Sequence, residues 1–177
     1  MASSANDEGG QPFSDEQRAG VESRRADQDR TLLAMHRLEA ALGSAAPGRV
    51  SNWRDRVLVE LGYLEKVTAD EADNAERPDS LLSDIARTQP LLRNRVRGVR
   101  LQYRQLQDAI GSLRRELTEP GDLLVDFTDI RQRLAWVLLG LRHQRARESD
   151  LVYEAYYEAF RADLAAERDG VSGESGS

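Results

Sequence analysis

Residues 130–155, IRQRLAWVLLGLRHQRARESDLVYEA, decide how the chain is read. Ile130, Leu134, Val137, Leu141, Gln144, Glu148, Leu151 and Ala155 recur at steps of four and three. That spacing places them on one helix face, as in the seam between packed helices. Two members of the row are polar, with apolar residues on either side. A carboxylate in such a position is costly unless something pairs with it or protonates it. Gln144 and Glu148 therefore mark a binding site, a former binding site, or a hydrogen-bonded core layer.

The remaining segments carry the same period. Residues 22–42 form a first helix with Leu32, Met35, Leu38 and Leu42 inward and Gly43 as its stop. A loop over 45–51 contains Pro47 and Gly48, and Ser51 or Asn52 caps a second helix reaching Glu76. Its stripe is Val57, Leu61, Leu64, Val67 and Thr68, continued by Glu71. Asp79 or Ser80 caps a short helix over 81–88, ending before Pro90. A third long helix starts near Pro90 with the stripe Leu92, Val96, Val99, Tyr103, Leu106, Ile110, Leu113 and Leu117, closed by Pro120 and Gly121. The last helix starts near Asp126 or Thr128 and extends toward Glu167, with Tyr153, Tyr156, Tyr157 and Phe160 at its far end. No segment alternates as a strand does. The expected fold is all-α: an antiparallel up-down four-helix bundle with one short extra helix and a long last helix. Residues 1–20 and 169–177 are small, polar and expected to be disordered, leaving 21–168 as the folded unit.

Composition narrows the function. The chain has 177 residues and no cysteine, which removes disulfides, thiolate catalysis and cysteine–metal sites. A net charge of −6, with arginines scattered among acids, argues against nucleic acid as partner. No apolar run approaches the ~20 residues that span a bilayer. Residues 1–20 lack a basic start followed by an apolar stretch, so no signal peptide and no membrane partner are expected, and the cytoplasm is the expected location. Only His36 and His143 are present, so a serine–histidine pair has little to build on. There is no glycine-rich phosphate loop, nucleophile elbow or His-Glu-x-x-His pair. The acidic run 69–76 lacks the spacing of a calcium loop. Trp53 and Trp136 are expected in the core or at helix ends.

What remains is a set of polar side chains at helical spacing. Val67 and Glu71 lie four apart on the second helix, Tyr103 and Gln107 on the third, and Gln144 and Glu148 on the fourth, with His36 on the first. Residues four apart share a face, so each pair can aim at one point between helices. The layout resembles the hemerythrin-like (HHE cation-binding) family, whose helices carry one His, His-x-x-x-Glu, His-x-x-x-His, and His with a following acid. The strings TLLAMHRLEAAL (31–42), LLRNRVRGVRLQYRQLQDAI (91–110) and residues 130–155 are similar to the first, third and fourth helices of that family.

The resemblance implies that His36, Glu71 and Glu148 occupy metal-facing positions, with Tyr103, Gln107 and Gln144 lining the same layer. Val67, Tyr103, Gln107 and Gln144 stand where the family has histidines. His143 becomes the fourth-helix ligand only if the register shifts by one residue. Two readings follow from the resemblance. In one, the metal site is degenerate, holds no cofactor, and the protein is a non-catalytic interaction or regulatory module with a protein partner. In the other, altered ligands still hold non-haem (di)iron for dioxygen or peroxide sensing or handling. Apart from the family, the layer reads as an internal network in which Glu148 accepts from Gln107, Tyr103 or His36, and Glu71 pairs with His36 or is protonated. A further reading gives the aromatic end of the last helix to partner helices.

Overall fold

The computed structural model describes residues 12–44, 50–119, 127–157, 159–161 and 164. The proposed loop around Pro47 and Gly48, the stop at Pro120–Gly121, the start at Asp126, the end at Glu167 and the tail 169–177 lie outside the described residues, as does most of segment 1–20. Among the described residues the structure is helical with no strand: α1 (Asp15–Gly43), α2 (Val50–Glu76), α3 (Leu81–Thr88), α4 (Arg93–Thr118) and α5 (Phe127–Ala155). A 3₁₀ turn, Pro90–Leu92, leads into α4. No described helix is long and apolar enough to cross a membrane.

Local chemistry explains the boundaries. α1 begins seven residues before the expected Glu22, so residues 15–20 are helical rather than loose. Ser14 is the reason: its hydroxyl accepts from the Gln17 N–H at 3.2 Å, and the Gln17 side chain accepts from the Ser14 N–H at 3.1 Å. This capping box satisfies two free donors of the first turn. Phe13, just before it, is buried against Tyr156 and Phe160. α3 matches its expected span; Ser80 caps it by accepting from the Ser83 N–H. α2 begins at Val50, ahead of the expected caps. Beyond Ala155, helical bonding continues from the Tyr156 N–H to Val152 O and from the Phe160 N–H to Tyr156 O.

The stripes turn inward as their periods require. On α5, Ile130, Leu134, Val137, Leu141, Gln144, Glu148 and Leu151 are buried, and Ala155 is partly so. On α4, every stripe member is buried except Leu106, which is partly buried. Trp53 is in the core, but Trp136 is 63% exposed, contrary to expectation. It follows Ala135 on the outer side of α5, one step off the row that buries Leu134 and Val137.

α1 packs on α2, α2 on α4, α4 on α5, and α5 meets α1, while α3 contacts α1, α2, α4 and α5. Cross-helix bonds fix the order: Arg37–Glu60 and Asn74–Asp27 between α1 and α2, Arg114–Glu65 and Gln107–Thr68 between α2 and α4, Arg133–Glu116 and Arg147–Gln102 between α4 and α5. The core divides into two apolar clusters. One holds Met35, Leu38, Leu61, Ile110 and Leu134; the other holds Leu82, Ile85, Val96, Leu151 and Tyr156. Each fully buried leucine or isoleucine contributes about 1.5–3 kcal/mol of burial free energy. Along α2 the first cluster ends at Val67 and the second begins at Ala72; along α5 the break falls between Leu141 and Leu151. Glu71 and Glu148 sit in that gap.

Candidate functional site

Four helices bring polar side chains to the gap. On α1, Arg24, Asp27 and Thr31 follow one another at steps of three and four, so they share a face, and all three are buried. α2 supplies Glu71, α4 supplies Tyr103, and α5 supplies Gln144 and Glu148; all are buried. Glu148 is only 1% exposed.

The centre is the Arg24 guanidinium. Its Nε and Nη2 donate to the two oxygens of Glu148 in a fork, and Nη2 also donates to Glu71 Oε1 at 2.9 Å. Two parallel charge-assisted bonds give this pairing both strength and a fixed geometry. Tyr103 Oη lies 2.9 Å from Glu71 Oε1 and 2.7 Å from Glu148 Oε2, and the Thr31 hydroxyl donates to Glu71 Oε2. The guanidinium carbon stands 5.3 Å from the centroid of the Tyr103 ring, a cation–π distance. Beside this centre, Asp27 accepts from Asn74 Nδ2 at 3.0 and 3.2 Å and from Arg30, and lies 4.0 Å from Arg24 Nη1.

Proton bookkeeping follows from the donors. Two carboxylates face one guanidinium. The Tyr103 phenol has one proton and can donate to only one of its two carboxyl partners. Both contacts are satisfied when the other carboxyl carries a proton and donates to Oη. Burial pushes the pKa of both Glu71 and Glu148 up; Arg24 opposes this, and neighbouring carboxylates add to it. Two like charges held this close favour keeping one proton. With that proton the centre formed by Arg24, Glu71, Glu148 and Tyr103 is electrically balanced.

Glu71, Tyr103, Gln144 and Glu148, taken from the sequence as one layer, are all buried, and three of them meet at Arg24. Gln144 is buried beside them, but neither atom of its amide has a hydrogen-bond partner among the described residues. Gln107 is partly buried and donates instead to Thr68 O at 3.3 Å. Val67 packs in the first apolar cluster. His36 does not join: it is exposed, because Met35 and Leu38 take the inward positions of that turn. His143 is exposed too, next to buried Gln144.

The residue that sequence reasoning missed is Arg24, with Asp27 beside it. The signal was present, since Arg24, Asp27 and Thr31 extend the row of Ala34, Met35, Leu38 and Ala41 backward by about three turns.

Compared with known proteins, the chain matches no family model, no curated protein and no solved structure.

The donor set can be tested against iron. Among the described residues no group of three or more His, Cys, Asp or Glu side chains is placed to hold a metal ion. Both histidines face outward, and the carboxylate oxygens of Glu71 and Glu148 already bind a guanidinium, a phenol and a hydroxyl. Imidazole nitrogen is missing from the layer, and the cation between the carboxylates is supplied by the chain itself. The residues present do not fit a diiron centre. Nor do they form a nucleophile–base pair. Chemically, this arrangement pairs a buried cation with two carboxylates whose pKa values burial raises, and it ties four helices together.

Proposed function

We propose that the protein is an antiparallel up-and-down four-helix bundle of hemerythrin-like layout, built from α1, α2, α4 and α5 with α3 as the short extra helix. In it the Arg24 guanidinium stands where that family holds metal. The protein acts as a non-catalytic interaction or regulatory module. The observation that carries this reading is the fork between Arg24 and Glu148, shared with Glu71. Those two glutamates are the acids that the resemblance assigned to the second and fourth helices, and they engage an internal cation. Further support comes from the order of helix contacts and from cross-helix pairs whose numbers run in opposite directions, 27–74 and 37–60, 65–114 and 68–107, 116–133 and 102–147. Exposed Trp136, Tyr153 and Tyr157 leave aromatic surface for a protein partner.

Expression in iron-replete medium followed by elemental analysis tests the proposal. The expected protein is colourless and carries iron far below one atom per chain. Stoichiometric iron with an oxo-diiron absorption band would overturn it in favour of a dioxygen- or peroxide-handling site with altered ligands.

A further inference from the structure

The face of α1 is divided. After Thr31 its buried residues are all apolar: Ala34, Met35, Leu38 and Ala41. Between Phe13 and Ala34 the only buried residues are Arg24, Asp27 and Thr31, all polar. The C-terminal half thus belongs to the first apolar cluster, whereas the second cluster has no buried member on α1 itself. A groove of about 840 Å³ also runs along the N-terminal half, lined by Gln17, Gly20 and Arg24 of α1, Asn74 of α2 and Leu81 of α3. Gly20 contributes no side chain there, and a Cβ on it would only reach ordinary contact distance from Leu81.

From this division we infer that residues 15–31 form a latch, a half-helix that undocks as one unit while the rest of the fold stays closed. Phe13, against Tyr156 and Phe160, and Arg24, against Glu148 and Glu71, anchor it, together with the bonds Gln17–Asp84, Asp27–Asn74, Thr31–Glu71 and Arg145–Gln28 O and the packing of Val21 on the second cluster. An isolated helix of this length is marginal in water, so the segment loses its helix when it leaves. Undocking withdraws the guanidinium and bares the two carboxylates and Tyr103 to solvent. The latch is a property of how α1 is held and does not depend on what the protein binds.

Hydrogen exchange followed by mass spectrometry on the full chain tests this. In the wild-type protein the amides of 15–31 should exchange together, at least about 100-fold faster than those of 34–41. Arg24→Gln should speed exchange across 15–31 by about tenfold or more and leave 34–41 and α4 unchanged. Phe13→Ala, which does not alter the buried charges, should act on the same residues. Uniform protection along the whole of α1 in the wild type would overturn the latch. So would variants that speed 34–41 as much as 15–31.

Discussion

Replacing Arg24 with methionine keeps an unbranched apolar stem and deletes the guanidinium. The change removes both guanidinium bonds to Glu148, one to Glu71 and, among the described residues, the only cation within hydrogen-bond distance of the two carboxylates. Removing one partner of a buried ion pair costs about 3–5 kcal/mol, because the other partner remains buried without compensation. Here the stranded glutamates have an escape, since they can take up protons. Both already have folded-state pKa values raised by burial, and Arg24 is what holds them down. Without Arg24 they rise further. A group with a raised folded pKa contributes stability that is complete below the ordinary glutamate range and is lost as pH climbs through the folded value. The loss in Arg24→Met should therefore grow with pH. Urea unfolding followed by circular dichroism should give a destabilisation of about 3–5 kcal/mol at about pH 8.5 and less than about 2 kcal/mol at about pH 5. The higher figure corresponds to a melting temperature lower by about 6–20 °C. A loss below about 1 kcal/mol at both pH values would refute a central role for the guanidinium.

Four further substitutions probe other features. Glu148→Gln leaves Arg24 and Glu71 as a one-to-one pair with no need for a stored proton, so the decline in stability on the alkaline side should flatten relative to wild type; parallel pH profiles would contradict the shared proton. Gln144→Met removes a buried amide that has no partner among the described residues and should stabilise by about 1–2 kcal/mol in thermal melts, whereas a clear loss would mean that the amide is satisfied. On α4, Gly98 meets nothing within 4 Å, and Gly98→Ala should stabilise by about 0.5–1 kcal/mol. On α5, a Cβ at Gly140 would come within 2.8 Å of Leu106 Cδ2, so Gly140→Val should destabilise by about 1–3 kcal/mol through crowding between α4 and α5. The reverse order for the two glycines would refute that packing.

Much of the helical fold was legible because long stripes leave little freedom. The row from Leu92 to Leu117 could only be a helix with that face buried, and Ser80 ahead of Leu81, with Pro90 beyond, bounded α3 closely. The start of α1 was missed because Gly20 and a polar composition hid a capping box at Ser14 and Gln17. Arg24 lay inside the expected helix, about three turns before Met35, but was not read as inward. A buried arginine looks like its many solvated neighbours when read alone, and only the row through Asp27 and Thr31 marks it as inward. His36 was chosen for its chemistry against its period, since Met35 already held the inward position. Glu71, Glu148, Tyr103 and Gln144 were found because a polar residue on an apolar stripe stands out. The contact of Tyr103 with Glu148 was among the expected pairings; the cation between the two acids was not found, because it came from a helix half whose buried residues are all polar.

A double-mutant cycle between Arg24 and Glu148 tests the internal ion pair most directly. Arg24→Met, Glu148→Gln and the double variant are unfolded in urea at neutral pH beside the wild type. A guanidinium and carboxylate joined in a buried fork should show a coupling energy above about 1 kcal/mol. Effects that add within about 0.3–0.5 kcal/mol would mean that the two side chains do not meet in the folded protein.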